Sequence, residues 1–228
     1  VKFGVLQFPG SCDDRDAVLA CSRVGEAVLL WHGDRDLQGA DAIVVPGGFS
    51  YGDYLRAGAI ARFSPIMEAV IEFAGDGGLV LGICNGFQVL CEAHLLPGAL
   101  LPNVELRFVC RQVELEVVDA DTAFTNQCAP GERLSIPAKH MTGRYHAPGL
   151  DPDLVVLRYA TGHCFNGAQD EIAGVRNAAG NVFGLMPHPE HAVDPLTGSV
   201  DGLRIFASMA RVTWPNTGAV SRTPGAQV

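Results

Sequence analysis

Lysine is nearly missing: Lys2 and Lys139 are the only two in 228 residues. With a formal net charge of −9, the chain has no basic face to meet phosphates, which excludes unspecific nucleic-acid binding. Although 48% of the residues are apolar, they never gather into a run of about 18, so no membrane span is expected. A GxxxxGKS/T phosphate loop is missing too, and ATP chemistry is therefore expected on another chain. The seven cysteines contain no CxxC pair, and their odd count and spacing fit neither a zinc site nor a disulfide scaffold. No metal site is expected. Val1–Phe8 reads as a core strand, too short for a signal peptide and without a small-residue cleavage site. Reduced thiols in a cytoplasm follow as the expectation.

What is present suits one domain with a full core. We expect a single domain over 1–212 and a flexible tail over 213–228, where Pro, Gly, Ser and Thr dominate. The first half alternates strand-like and helix-like segments, the pattern of a parallel sheet flanked by helices. Lys2–Phe8 is a strand, and Asp13-Asp14 can cap a helix to about Val24. Ala27–Trp31 and Ala42–Val45 are short apolar strands. Ile66, Val70 and Phe73 share a helical face, predicting a helix over about Ala61–Ala74. Leu79–Ile83 is apolar on both faces and belongs at the centre of a sheet. A helix then runs to about His94. In the second half, Val104–Val118 suggests a hairpin or paired edge strands, followed by loops. Strands follow at Leu154–Tyr159, Ile172–Val175 and Val182–Met186. The last helix, about Val200–Arg211, carries Leu203, Phe206, Ala207 and Ala210 on one face.

The chemistry concentrates in three stretches. In Leu79-Val80-Leu81-Gly82-Ile83-Cys84-Asn85-Gly86-Phe87-Gln88 a buried strand ends on a cysteine and a helix begins at once. Gly82 and Gly86 relieve crowding at the sharp turn, as at a hydrolase nucleophile elbow. The helix N-terminus favours a thiolate at Cys84 and should lower its pKa, and the N–H of Asn85 is placed to bind an oxyanion. Taken alone, Cys84 reads equally well as a core cysteine. Cys91, further along the helix, has no such context and reads as core.

Gly184-Leu185-Met186-Pro187-His188-Pro189-Glu190 ends a strand on a histidine fixed between prolines. Residues two apart on an extended segment face the same way. Glu190 can therefore orient one imidazole nitrogen of His188 while the other faces a thiol. A histidine alone is more often structural; beside an elbow cysteine it reads as a base. In Val45-Pro46-Gly47-Gly48-Phe49-Ser50-Tyr51-Gly52-Asp53-Tyr54, paired glycines let backbone N–H groups approach a reacting carbonyl. Gly48 is the candidate second oxyanion donor, although a tight turn needs the same glycines.

Together these residues resemble the class I glutamine amidotransferases, and most closely the glutaminase branch of phosphoribosylformylglycinamidine synthase. The resemblance runs through Phe8-Pro9-Gly10-Ser11, Gly47–Gly58, Cys84–Gln88, Pro102-Asn103, Arg107-Phe108, Asn166-Gly167, Ile172-Ala173-Gly174 and Met186–Glu190, about residues 2 to 211. It implies an α/β, flavodoxin-like fold: a mostly parallel central sheet flanked by helices, with an extra antiparallel β portion. It implies hydrolysis of L-glutamine through a thioester on Cys84, with His188 and Glu190 completing a triad and Gln88 helping to hold the substrate. The ammonia goes to a synthetase subunit, assisted by a small bridging subunit, for ATP-dependent conversion of formylglycinamide ribonucleotide to its amidine in purine synthesis. No cofactor is expected in this chain; ATP and Mg belong to the synthetase. The partner surface is expected around Phe49–Arg56 and Val104–Val118.

The sequence departs from the family pattern in several places. Cys12-Asp13 stands for Asn-Cys, and His191 for an arginine. Met141-Thr142 replaces a glycine and an acid, and His163-Cys164 stands near an expected Asn-Pro. None falls on the triad itself, so they are expected to bear on partner contacts. Three competing readings remain. One is the glutaminase of another amidotransferase, which lacks the Phe49–Tyr54 stretch; another is an inactive regulatory module, which intact Cys84, His188 and Glu190 oppose. The third is a chaperone or hydrolase of the same fold with an elbow cysteine and a nearby acid, which His188-Pro189-Glu190 at a separate strand end opposes.

Overall fold

The computed structural model describes residues 1–212; the tail expected at 213–228 lies outside the described residues. Strand β1 (Lys2–Gln7) leads through α1 (Asp14–Ser22) to β2 (Glu26–Trp31) and β3 (Ala42–Val45). Helix α2 (Pro65–Gly75) precedes β4 (Leu79–Ile83) and α3 (Asn85–Glu92). The second half holds β5 (Ala99–Pro102), β6 (Val109–Val117), β7 (Arg133–His140), β8 (Thr142–His146), β9 (Val155–Tyr159), β10 (Ile172–Arg176), β11 (Val182–Leu185) and α4 (Leu203–Arg211).

Nine strands form one sheet in the order β2-β1-β3-β4-β11-β10-β9-β6-β7, and β5 pairs with β8 separately. From β2 to β11 every pairing is parallel, in the flavodoxin-like order. Beyond β11 every pairing is antiparallel. Strands β3, β4 and β11 are buried at every residue, as expected where helices cover both faces of a parallel sheet. Leu6, Ile43, Leu81, Phe87 and Phe183 anchor that core.

Several boundaries differ from those expected from the sequence, each for a physical reason. The helix expected over Ala61–Ala74 is two elements, because Ser64, extended ahead of Pro65, separates a 3-10 turn at Ala61–Phe63 from α2. Val104–Val118 is not a hairpin; one strand, β6, lies between β7 and β9. The segment that forms β7 falls in a stretch that reads as loop from its Gly, Pro, Asn and Asp content, yet Leu134, Ile136, Ala138 and His140 alternate inward around Pro137. Proline is tolerated there because β7 is the sheet edge. Helix α1 stops at Ser22, short of Val24, and the last helix starts at Leu203 with Ile205, Phe206 and Met209 as its fully buried apolar residues.

The link between fold and site is the turn from β4 into α3. Cys84 sits at φ 50°, ψ −103°, a conformation that L-residues rarely adopt. A Cβ on Gly86 would lie 1.9 Å from the Val45 carbonyl oxygen, and one on Gly82 would lie 2.8 Å from the Gly86 backbone. Only glycine lets the turn approach β3 so closely. Gly86→Ala should therefore destabilise the chain by about 1–3 kcal/mol, read as a lower urea midpoint. Unchanged stability would mean that the turn has room to spare.

Candidate active site

Cys84 and His188 line one cavity of about 300 Å³, with Gly48, Asp53, Gln88 and Lys139 in its walls. Cys84 comes from the end of β4, and its N–H donates to the Leu185 carbonyl of β11 at 2.8 Å. Three residues past Leu185, the His188 N–H donates to the Pro137 carbonyl of β7 at 2.8 Å. The histidine is thus pinned where the parallel and antiparallel halves of the sheet converge.

His188 Nδ1 lies 2.6 Å from Glu190 Oε1, and both side chains are buried. The segment is not extended, as the sequence suggests; Pro189–His191 is a 3-10 turn, and this turn brings the carboxylate round to the ring. His188 Nε2 and Glu190 Oε2 are buried without a hydrogen-bond partner among the described residues. An orphaned imidazole nitrogen in a buried site is costly unless a reactant supplies the partner.

Burial, first of all, pushes the Cys84 thiol well up, with the Asp13 and Glu190 carboxylates adding to it; Lys139 and the Asn85 N–H oppose the rise. This corrects the expectation of a lowered thiol pKa: the helix N-terminus is present, but desolvation outweighs it. Burial likewise holds the His188 imidazole below its ordinary value and raises the Glu190 carboxyl. At rest, thiol and imidazole are both neutral, and charge appears only when a proton moves between them.

The remaining sequence candidates also gather here. Gly48, at φ 140°, could not carry a Cβ, which would lie 2.5 Å from the Cys12 nitrogen. The Asn85 side chain accepts from the Ser50 N–H at 3.1 Å and donates to Asp53 and Gln88. Gln88 in turn donates to the Thr142 carbonyl at 2.5 Å. Its amide is engaged at both ends, so it braces the cavity wall. Cys91 is buried in the core, as expected.

Sequence reasoning missed Asp13, Lys139 and His140. Asp13 has the position of a helix cap, but its side chain caps nothing; instead Oδ1 receives Lys139 Nζ at 2.6 Å. Among the departures from the family pattern, Asp13 and His191 do touch the triad. Asp13 Oδ2 lies 3.6 Å from His188 Nδ1, and the His191 ring stacks on that of His188 with centroids 5.3 Å apart. Met141 and Thr142 line the cavity. The one signal in the sequence was Lys139 itself, a rare cation in an inward-alternating strand. Asp13, His188, Glu190 and His191 bring donor atoms within 4.8 Å of one another. Glu190 already holds His188 Nδ1 and Lys139 already holds Asp13, so hydrogen bonds within the protein account for the cluster.

Residues 1–203 match the family described as the CobB/CobQ-like glutamine amidotransferase domain. The phosphoribosylformylglycinamidine synthase subunit PurQ of Streptomyces avermitilis is 54% identical, covering 92% of this chain and 97% of that one. Its counterpart from Rubrobacter xylanophilus is 56% identical over the same shares, 92% and 97%. A chain in the structure of PurLQS from Thermotoga maritima superposes with a TM-score of 0.86 at 46% identity, covering 91% of this chain and 96% of that one. A glutamine amidotransferase from the same organism shares the fold alone, at a TM-score of 0.55 and 18% identity over 83% and 76% of the two chains.

His140 gives the site a pH signature. Asn103 Nδ2 donates to the Arg107 and His140 carbonyls, so its Oδ1 must accept from His140 Nδ1–H at 3.1 Å. That fixes Nε2 as a bare acceptor, buried and without a partner among the described residues. Burial, with His188 adding, holds the ring neutral down to about pH 3. Unfolded histidine titrates near pH 6.5, so the folded pKa is depressed. Stability from this group is full above about pH 6.5 and is lost as pH falls towards 3. The melting temperature of the chain should fall over that window, and less steeply in His140→Gln. Identical slopes would contradict this assignment.

Proposed function

The chain belongs to the CobB/CobQ-like glutamine amidotransferase domain family, among the PurQ subunits, and from that premise we propose that it is the glutaminase of a phosphoribosylformylglycinamidine synthase. Its reaction is hydrolysis of L-glutamine to glutamate and ammonia. The observation that carries the catalytic assignment is the buried Nε2 of His188, without a partner among the described residues, which shares a cavity with Cys84 while Glu190 holds Nδ1.

His188 Nε2 takes the Cys84 proton as sulfur attacks the carboxamide carbon of glutamine. The N–H groups of Gly48 and Asn85 receive the oxyanion. The imidazolium protonates the departing ammonia, and a water, deprotonated by the same nitrogen, hydrolyses the glutamyl thioester. Glu190 keeps the ring in one tautomer and offsets its transient charge. Gln88, braced by Asn85 and Thr142, helps to hold the substrate.

Ammonia passes to a synthetase subunit, with a small bridging subunit, where ATP and Mg activate the formylglycinamide ribonucleotide acceptor. The relative in PurLQS supports those partners, and a cytoplasmic location fits the pathway. No helix among the described residues is long and apolar enough to cross a membrane. A contact surface beside the cavity is supported by Phe49 and Phe108, both exposed with ring centroids 6.5 Å apart, and by the outward-facing Tyr54 and Leu55.

Glutamine hydrolysis by the reconstituted complex tests the assignment. Cys84→Ser and His188→Ala should each lose roughly a thousandfold or more in kcat, and Glu190→Gln should lose less. The purified chain alone should be slow, and synthetase, bridging subunit, ATP and acceptor together should accelerate it. Near-normal hydrolysis by Cys84→Ser would overturn the nucleophile. Full activity of the isolated chain, unchanged by partners, would overturn the coupling.

A further inference from the structure

Behind the proposed base lies a second charged pair that the triad does not include. Asp13 is only 4% exposed. It stands at the N-cap of α1, where an aspartate ordinarily binds the helix N–H groups, yet it makes no such bond. Its Oδ1 holds Lys139 Nζ at 2.6 Å, and its Oδ2 faces His188 Nδ1 at 3.6 Å. The backbone is shaped around this arrangement. A Cβ on Gly47 would lie 2.4 Å from Asp13 Oδ2 and 2.7 Å from His188 Cε1, so Gly47 makes room for both at once.

The groups that face His188 come from every packed element. Asp13 comes from the start of α1, and Lys139 and His140 from β7; Cys84, from the β4–α3 turn, lines the same cavity. Glu190 and His191 come from its own 3-10 turn. His191 is itself turned towards acid, with Nε2 3.6 Å from Asp13 Oδ1 and 3.3 Å from Asp16 Oδ2. Two carboxylates beside one buried imidazole would repel each other, and Lys139 offsets that repulsion at contact distance. Asp13 is the buried member of the pair, and without half-buried Lys139 it would be a costly lone charge.

We propose that Asp13, clamped by Lys139, is a second carboxylate behind His188: it stabilises the imidazolium formed when His188 takes the Cys84 proton, and the ion pair sets the pH range of that transfer. The proposal rests on the reading of His188 as the base. Asp13 acts through His188 and is a positioning residue. The electrostatic directions agree: the Asp13 charge raises the proton affinity of both His188 and Cys84, and the Lys139 charge lowers it at both, while the Lys139 backbone, which Lys139→Met keeps, raises that of His188.

Opposite charges predict opposite shifts, which a purely structural role would not produce. Iodoacetamide labelling of Cys84 in the full chain, followed by mass spectrometry of the Cys84 peptide across pH, reads the transfer directly. Asp13→Asn should move the midpoint of Cys84 reactivity to lower pH by about one unit or more. Lys139→Met should move it to higher pH, and the double variant should return close to the unaltered chain. In the reconstituted complex both limbs of the kcat/KM profile should follow the same signs. The double variant leaves neither charge alone; where one single variant does not fold, the other, measured against the double, carries the same test. Shifts of the same sign, or none, would overturn the proposal. Failure of the underlying reading looks different: Cys84 in the unaltered chain would resist labelling at every pH, or His188→Ala would leave its pH profile unchanged.

Discussion

The turn at Cys84 is the constraint on which the rest of the structure depends. A residue held at φ 50° and ψ −103° persists only where its surroundings over-determine it. Here β4 is hydrogen-bonded on both sides, to β3 and β11, and α3 is pressed against the end of β3 through Gly86. The core of the parallel half is thus what holds the sulfur in place. The same geometry puts the Asn85 N–H beside the sulfur, where it favours the thiolate.

The proposed base enters the same cavity by a different route. His188 follows β11 and is fastened to β7 through the Pro137 carbonyl, while Lys139 and His140 of β7 enter from the antiparallel half. The site therefore closes only when the edge strand is in register with β6. Burial then decides the resting chemistry. Thiol and imidazole both resist charging for the same reason, desolvation, and thiolate and imidazolium appear together or not at all. On the proposed mechanism the site stays quiet until a substrate carbonyl seated at the N–H groups of Gly48 and Asn85 makes charge separation worthwhile.

The parallel half is legible in the sequence because its strands are continuous apolar runs and its elbow carries paired glycines. Leu79–Ile83 and Ala42–Val45 can be bounded to the residue. Cys84 and His188 are legible because each follows a strand with restrictive neighbours, and Glu190 because it stands two residues past that proline-flanked histidine. Strand β7 is hidden in a stretch heavy in Gly, Pro, Asn and Asp, and the edge position of Pro137 is not visible one-dimensionally. Asp13 is hidden by its own propensity: an aspartate ahead of a helix reads as a cap, and only the fold brings Lys139, 126 positions away, to claim it. The pKa of Cys84 is misjudged for a related reason. A helix N-terminus can be read from sequence, but complete desolvation cannot.

The central claim is that the thiol at this turn, and no other, attacks glutamine. Treating the complex with a glutamine-analogue electrophile and weighing the digested chain tests it most directly. One adduct per chain is expected, on Cys84, slowed by glutamine and missing in His188→Ala over the same interval. An adduct on the exposed Cys12 or Cys110 that glutamine does not slow, with Cys84 unmodified, would contradict it.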